Sequence, residues 1–236
     1  MARRVRRGLI EAPLVSRAIA AVDRRRLRRM ETDGAARERS KRRWRAAPPG
    51  PGLTWGEEVS GDPAVDAAEA HGLFGPDRSV LEVGPGYGRV LRSCLARGAE
   101  FERYVALDVS EQNVRHLRSS FEDPRVEILH GDAESASIGE PVDAMLSFLT
   151  FKHLYPSFEA ALANLEPQLR PGARVMFDLI EGPRRYFHRD RMTFIREYPR
   201  SEVAAILERT SLHPLAFERI EHAPGRERLL VVARKA

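Results

Sequence analysis

The residues of this sequence most suited to chemistry are three glycines within five positions, in the stretch VGPGYG at residues 83–88. They follow SVLEV, an apolar run typical of a buried strand. Glycines after a strand let the backbone turn tightly and approach a bulky polar ligand. A dinucleotide loop, G-x-G-x-x-G, would need its third glycine where Arg89 stands, and an ATP loop would need a Lys-Ser/Thr pair that does not follow here. The spacing therefore argues against both NAD and ATP.

With Glu82 two residues ahead of the first glycine, the loop resembles motif I of the class I S-adenosylmethionine-dependent methyltransferases, commonly Asp/Glu-x-Gly-x-Gly-x-Gly. The likeness extends from a Pro/Gly linker to the C-terminus. It implies S-adenosyl-L-methionine as the cofactor. It also implies that Gly84, Gly86 and Gly88 cradle the methionine and ribose parts of that cofactor, and that Glu82 serves its ammonium group.

Acidic residues follow the next two predicted strands. Asp108 ends RYVALD, 26 residues after Glu82. The resemblance implies that it binds the ribose hydroxyls, and the alternative is an N-cap for the next helix. Asp132 and Ala133, in GDAES, would contact the adenine, although an ordinary Asp turn explains the same residues. Val109 would form an apolar wall for the base or pack in the core.

The methyl acceptor is expected beyond the fourth strand, in SFLTFKHLYPSF at residues 147–158. This stretch lacks the Asn/Asp-Pro-Pro-aromatic box of many amino-methylating enzymes and the nucleophilic cysteine of carbon-methylating ones. It offers Lys152, His153 and Tyr155, a set that can bind and deprotonate a hydroxyl, with Ser147 beside the cofactor. We expect His153 to act as the general base; the alternative is that it caps or packs the following helix.

Residues beyond the fifth strand are further candidates for the acceptor site. Asp178 and Glu181 could orient the base or bind the acceptor, or they could be solvated loop charges. The insertion at residues 181–199 carries Arg184 and Tyr186 among other arginines and aromatics. Such a loop could hold an acceptor through an aromatic surface and an anionic group. A bias towards arginine throughout the sequence explains the same composition.

These residues must be positioned by a body in which apolar runs alternate with helical patterns. SVLEV, RYVALD, VEILH, VDAMLSF and, after a turn at Pro171-Gly172, ARVMFDLI predict five strands. Ser201 predicts a helix N-cap, and two apolar runs around Pro224-Gly225 predict a hairpin. The expected fold class is α/β: a doubly wound, seven-stranded, mostly parallel sheet with a C-terminal antiparallel hairpin, helices on both faces and a basic N-terminal extension.

Charge divides the 236 residues into two parts. Residues 1–47 carry 16 Lys+Arg against 5 Asp+Glu, whereas the whole chain has a net charge of +5. This predicts a basic extension at 1–47, a linker or lid at 48–63 and a methyltransferase domain at 64–236. Cys94 is the only cysteine, so an intrachain disulfide and a cysteine-based metal cluster are excluded. Arginines interrupt the apolar start, and we expect a cytoplasmic protein without a transmembrane segment.

The extension contains SRAIAAVDRRRLRRM, residues 16–30, which could form a basic amphipathic helix. It could contact RNA, associate weakly with an anionic membrane surface, cover the cofactor pocket as a lid, or remain a solvated arm. The resemblance implies that an N-terminal segment folds across the bound cofactor. We therefore expect residues near Trp44 and Trp55 to become ordered when S-adenosylmethionine binds.

These patterns predict an S-adenosylmethionine-dependent O-methyltransferase that methylates a hydroxyl of a small metabolite, of the sugar or natural-product type, without a metal. One alternative is an RNA or other macromolecular methyltransferase that uses the basic extension as a tether. Another is a non-catalytic cofactor-binding or scaffold protein. A steep salt dependence of RNA binding, lost on deletion of residues 1–47, would favour the first alternative.

Overall fold

The computed structural model describes residue 29 and residues 32–46 and 59–236. The helix expected at residues 16–30 lies outside the described residues except for Arg29, and Trp55 lies outside them as well. The fold divides into two units, Met1–Arg39 and Ser40–Ala236. The candidate site lies wholly within the second unit.

The described residues form nine strands and six α-helices. The strands are β1 Ser79–Val83, β2 Arg103–Asp108, β3 Val126–His130, β4 Val142–Ser147, β5 Leu169–Glu181, β6 Arg185–Phe187, β7 Phe194–Tyr198, β8 Leu212–Glu221 and β9 Glu227–Lys235. The α-helices are α1 Gly34–Arg45, α2 Asp62–Ala70, α3 Arg89–Arg97, α4 Glu111–Ser120, α5 Glu159–Leu165 and α6 Arg200–Leu207. Short 3-10 turns lie at Phe151–His153 and Glu166–Gln168.

The main sheet has the order β3-β2-β1-β4-β5, with all five strands parallel, and continues through antiparallel β9 to β8. All of β1 is buried, because helices cover both faces of a parallel sheet, and this is why most of its residues are apolar. The order of connection reverses beside β1, and in such sheets ligands bind in the crevice beyond the carboxyl ends of the strands. The predicted fold class is confirmed.

Side chains of the central strands alternate between two apolar clusters. In β1, Leu81 belongs to one cluster and Val80 to the other. In β5, Phe177 and Met176 divide in the same way. This alternation is the period of two expected of a strand that is buried on both faces. Packing on both faces fixes the strand ends from which the loops of the site begin.

The Pro171-Gly172 turn does not precede the fifth strand, as we expected, but lies inside β5. The register moves from Val142↔Leu169 to Ala144↔Arg174, so extra residues of β5 leave the ladder between these pairs. Gly172 has a φ of 80°, which permits the excursion. The chain does turn at Pro171-Gly172, but β5 pairs with β4 both before and after the turn.

The insertion expected as a loop at residues 181–199 instead forms a two-stranded ribbon. β6 and β7 pair antiparallel, and β7 also pairs in parallel with the end of β5 at Ile180↔Glu197. All five residues of β7 are buried, including Arg196 and Glu197. The charges are tolerated because Arg196 bonds to the Pro156 carbonyl oxygen and Glu197 to Arg184.

Two further observations concern the helices. The helix that Ser201 was expected to cap begins earlier, at Arg200, with Pro199 in the N-cap position and no side-chain cap, so that prediction was wrong by two residues. Proline suits this position because its fixed φ leads into the first turn. No helix among the described residues has the length and apolar character needed to cross a bilayer.

Candidate active site

A cavity of about 930 Å³ is lined by residues that end or follow β1, β2, β3 and β4, together with residues of α1. One part, the glycine end, is lined by Glu82, Gly84, Gly86, Asp108, Val109, Asp132 and Ala133. The other part, the histidine end, is lined by Trp44, Phe148, Leu149, His153, Leu154 and Tyr155. The volume falls in the range of roughly 300–1,000 Å³ that is usual for small-molecule sites.

The three glycines of the loop have positive φ angles but different surroundings. A Cβ at Gly84 would lie 2.5 Å from the Thr150 side chain, and one at Gly88 would lie 2.4 Å from the Phe121 ring. A Cβ at Gly86 would meet nothing within 4 Å. Gly86 therefore leaves its backbone open to a ligand. Gly88 lies outside the cavity lining. A glycine is needed there because the residue is the left-handed N-cap of α3 and packs closely against its neighbours.

Asp108 organises the loop from the end of β2. One carboxylate oxygen, Oδ2, accepts the backbone N–H of Gly86 at 3.0 Å. The other, Oδ1, accepts the N–H of Ser110 at 2.8 Å and the Asn113 amide at 3.2 Å. The N-cap of α4 is Ser110, so the alternative that Asp108 caps this helix does not hold. Burial raises the pKa of Asp108 above its usual range, although these hydrogen bonds oppose the shift.

Glu82 is a buried carboxyl group at the same end of the cavity. Burial raises its pKa to about 7, against the effect of the Tyr104 hydroxyl, which donates to Oε2. That hydrogen bond is 2.7 Å long. Glu82 therefore titrates near neutrality, and a cationic ligand beside it would favour the ionised form.

Asp132 is already engaged by the last turns of α1. The Lys41 ammonium lies 2.7 Å from Asp132 Oδ2 and 2.6 Å from Glu134. Arg45 lies 3.7 Å from the same Asp132 oxygen. Burial opposes ionisation of Asp132, but the Lys41 bond and the neighbouring charges keep its pKa below the usual value. Lys41 was not predicted as a site residue, because its contact with Asp132 joins residues 91 positions apart.

His153 lies in the 3-10 turn after β4 and lines the histidine end. Its Nδ1 is 2.8 Å from the carbonyl oxygen of Phe194 in β7. A carbonyl only accepts, so the ring hydrogen is on Nδ1 and Nε2 carries the lone pair. Burial, followed by the charge of Lys152, holds the pKa of His153 well below its usual value. The ring is therefore neutral at pH 7, and the Trp44 ring lies 4.4 Å away between centroids.

Asp178 does not contact His153 and lies outside the cavity lining. Its Oδ2 pairs with Nε2 of His222 at 3.2 Å, and its Oδ1 accepts the Leu149 N–H at 2.5 Å. Leu149 has a φ of 61°, an unusual conformation for leucine that this bond helps to hold. The expectation that Asp178 orients the base or binds the acceptor is thus replaced by a role in fixing the loop after β4. His222 comes from the distant hairpin, and no local pattern indicated it.

Lys152 and Ser147 are also buried outside the lining. Burial lowers the pKa of Lys152 to about 8, while Asp178 opposes the shift. Ser147 is fully buried and its Oγ donates to the Val83 carbonyl oxygen at 3.0 Å. The Ser147 side chain therefore points to β1 rather than to the cavity, and its hydrogen bond links β4 to β1. Neither residue contacts the space in which we expected it to act.

The remaining acceptor candidates divide between the cavity and the surface. Tyr155 lines the histidine end. Glu181 bonds to Arg200 at 2.9 Å, and Arg184 bonds to Glu197 at 2.8 Å. Tyr186 is 39% exposed. The last three lie outside the lining because the ribbon pairs with β5 and directs these side chains to its own partners and to solvent.

Comparison with known proteins gives this site a family context. The family model described as "Methyltransferase domain" matches residues 80–172, which include the glycine loop, Asp108, Asp132 and His153. A fatty-acid O-methyltransferase of Mycolicibacterium smegmatis is 32% identical over 115 residues. That match covers 45% of this chain and 41% of the relative, so the chain spans about two fifths of the curated protein.

Solved structures share the fold over most of the chain. The Burkholderia thailandensis 1,6-didemethyltoxoflavin-N1-methyltransferase, solved with 1,6-didemethyltoxoflavin and S-adenosylhomocysteine, is 25% identical with a TM-score of 0.63, over 77% of this chain and 80% of that one. A SAM-dependent methyltransferase from Aquifex aeolicus is 22% identical with a TM-score of 0.59, over 74% and 90%. The matched domain at residues 80–172, the sheet order and these neighbours together show a methyltransferase domain with the class I S-adenosylmethionine-dependent fold.

Proposed function

We propose that this chain binds S-adenosylmethionine at the glycine end and methylates a hydroxyl oxygen of a small molecule at the histidine end. One observation carries the proposal: a single cavity joins the Gly86–Asp108 loop to a buried, neutral His153. The S-adenosylhomocysteine bound by the Burkholderia neighbour supports the cofactor. The fatty-acid O-methyltransferase relative supports transfer to oxygen.

The glycine end suits this cofactor in charge and in shape. Glu82 offers a carboxylate to the ammonium group, Asp108 offers acceptor oxygens to the ribose hydroxyls, and Asp132 would accept from the adenine amino group. Val109 and Ala133 supply apolar surface for the base. When bound, S-adenosylmethionine supplies a methyl group on a sulfonium, whose thioether is a good leaving group.

His153 is suited to take the proton that the acceptor loses. Its Nδ1–H is committed to Phe194, so the Nε2 lone pair is the basic position. The low pKa keeps this lone pair free of a proton at pH 7. As the acceptor oxygen becomes methylated, its proton passes to Nε2, and the ring returns the proton to solvent after the product leaves.

A neutral histidine favours a hydroxyl over a carboxylate at this position. A hydroxyl can donate a hydrogen bond to Nε2, whereas a carboxylate has no hydrogen and would direct its lone pairs against that of Nε2. A carboxylate acceptor also needs no base. The acceptor of the M. smegmatis relative is a fatty acid by its description, but the match covers less than half of either chain. We therefore propose a hydroxyl acceptor.

Methyl transfer from S-adenosylmethionine to a panel of hydroxyl compounds and to palmitate, followed by mass spectrometry, tests this function. We expect methyl ethers from hydroxyl compounds. For His153→Ala we expect turnover to fall by about 10²- to 10⁴-fold while S-adenosylhomocysteine still binds. The matched control is His213→Ala, which removes an exposed histidine on β8. Methylation of palmitate alone, or unchanged turnover of His153→Ala, would contradict the proposal.

A further inference from the structure

The last turns of α1 are attached to two separate segments of the fold. Lys41 pairs with Asp132 at the glycine end, at 2.7 Å. Arg43 donates through Nε to the Thr193 hydroxyl at 3.2 Å and lies 3.7 Å from Asp190, both in the segment that joins β6 to β7. Trp44 follows Arg43 directly. The contacts of Lys41 and Arg43 therefore fix the part of α1 that carries the indole. This part belongs to the same unit as the cavity.

Trp44 and His153 together form an aromatic wall at the histidine end. Their ring centroids are 4.4 Å apart, with an angle of 44° between the ring planes. Both residues line the cavity, and so does Tyr155. Because the proposed base is in contact with the indole, an acceptor whose oxygen reaches His153 must lie against Trp44.

The other lining residues of the histidine end restrict the chemistry of the acceptor. Phe148, Leu149 and Leu154 contribute apolar side chains there, and the hydroxyl of Thr150 already donates to the Gly84 carbonyl oxygen at 3.1 Å. A sugar would leave several hydroxyls without partners against such a surface, which is costly. An aromatic ring with one hydroxyl would satisfy its oxygen at His153 and place its remaining surface against aromatic and aliphatic groups.

We infer that Trp44 determines acceptor specificity and selects a hydroxyl carried on an aromatic ring. This inference rests on the proposed function and narrows its acceptor from small hydroxylated metabolites to phenol-type compounds. Lys41 and Arg43 anchor α1 through contacts within the chain, so the indole is pre-organised. This differs from the expectation that residues near Trp44 become ordered only when the cofactor binds.

Titration calorimetry on the full chain saturated with S-adenosylhomocysteine tests this inference without relying on turnover. The probes are 2-naphthol, its saturated analogue decahydro-2-naphthol, and 2-naphthoate. We expect 2-naphthol to bind about five- to tenfold more tightly than decahydro-2-naphthol, since an aromatic pair adds to the effect of burial alone. We expect 2-naphthoate to bind more weakly than 2-naphthol, because it cannot donate to His153.

Two variants separate stacking from simple filling of space. Trp44→Leu should remove most of the preference for 2-naphthol over decahydro-2-naphthol, and Trp44→Phe should retain part of it. The affinity for S-adenosylhomocysteine should stay within about twofold in both variants, as in the control Tyr186→Leu, which removes an exposed aromatic side chain on β6.

Several results would overturn the inference. These are equal affinities for the two naphthols in the unmodified chain, an unchanged preference in Trp44→Leu, or a loss of S-adenosylhomocysteine affinity as large as the loss for 2-naphthol. A chain that fails to bind S-adenosylhomocysteine at all would overturn the proposed function together with the inference. Cofactor binding without aromatic preference would overturn the inference alone.

Discussion

Replacing Asp108 by Asn removes one charge from the glycine end while keeping the shape of the side chain. The carboxylate accepts from Gly86 N–H at 3.0 Å on one oxygen, and from Ser110 N–H at 2.8 Å and the Asn113 amide on the other. An Asn side chain has one acceptor oxygen. One of the two sets of donors must therefore face its NH₂ group, donor against donor.

The loss in cofactor affinity follows from these bonds. Hydrogen bonds to a charged group contribute about 1.5–3 kcal/mol each. The variant weakens the proposed bonds to the ribose and one bond that holds the loop. We therefore expect the binding free energy to weaken by about 2–4 kcal/mol, which raises the dissociation constant roughly 30- to 1,000-fold. The free energy of unfolding should change less than the binding free energy does. Burial raises the pKa of Asp108 because it disfavours the charged carboxylate, and the neutral amide avoids this desolvation penalty.

Calorimetric titration with S-adenosylhomocysteine, paired with thermal unfolding, measures both quantities. Asp123→Asn is the matched control, since this carboxylate also accepts a backbone N–H, from Arg125 at 2.9 Å, but lies outside the cavity lining. We expect the control to bind as the unmodified chain does. If Asp108→Asn binds within about threefold of the unmodified chain, the ribose role of Asp108 is refuted.

Two further predictions concern Glu82 and Gly88. Because burial raises the pKa of Glu82 to about 7, its carboxylate is protonated as the pH falls through that value. Calorimetry should therefore show weaker S-adenosylhomocysteine binding below pH 7 than above it, and Glu82→Gln should remove this dependence; a flat profile in the unmodified chain would count against it. Gly88→Ala should lower the free energy of unfolding by about 1–3 kcal/mol more than Gly98→Ala. Both glycines have φ near 70°, but only at Gly88 would a Cβ meet the Phe121 ring. Equal losses in thermal unfolding would contradict this packing argument.

The strands and the glycine end were predictable because their signals are local. β1 is a mostly apolar run because both of its faces are buried, and the glycine spacing reports the backbone conformation of a single loop. Asp108 and Asp132 follow strands at the carboxyl edge, where parallel topology brings such residues together. Sequence pattern together with the family resemblance was therefore enough for the main sheet and for these lining residues.

The rest of the site depends on contacts between distant segments. Arg196 and Glu197 are charged, so their strand gives no apolar signal, yet Pro156 and Arg184 allow them to be buried. The Asp178–His222 pair joins residues 44 positions apart. Trp44 reaches His153 from the basic extension, and no local pattern indicated that particular contact. Such pairings are set by tertiary packing, and no periodicity or motif encodes them.

The most direct test of the central claim is calorimetric titration of S-adenosylhomocysteine into the full chain. We predict one binding site per chain with a dissociation constant in the micromolar range. The absence of measurable binding by the folded chain would contradict the assignment of the glycine end to this cofactor, and the proposed methyl transfer would fail with it.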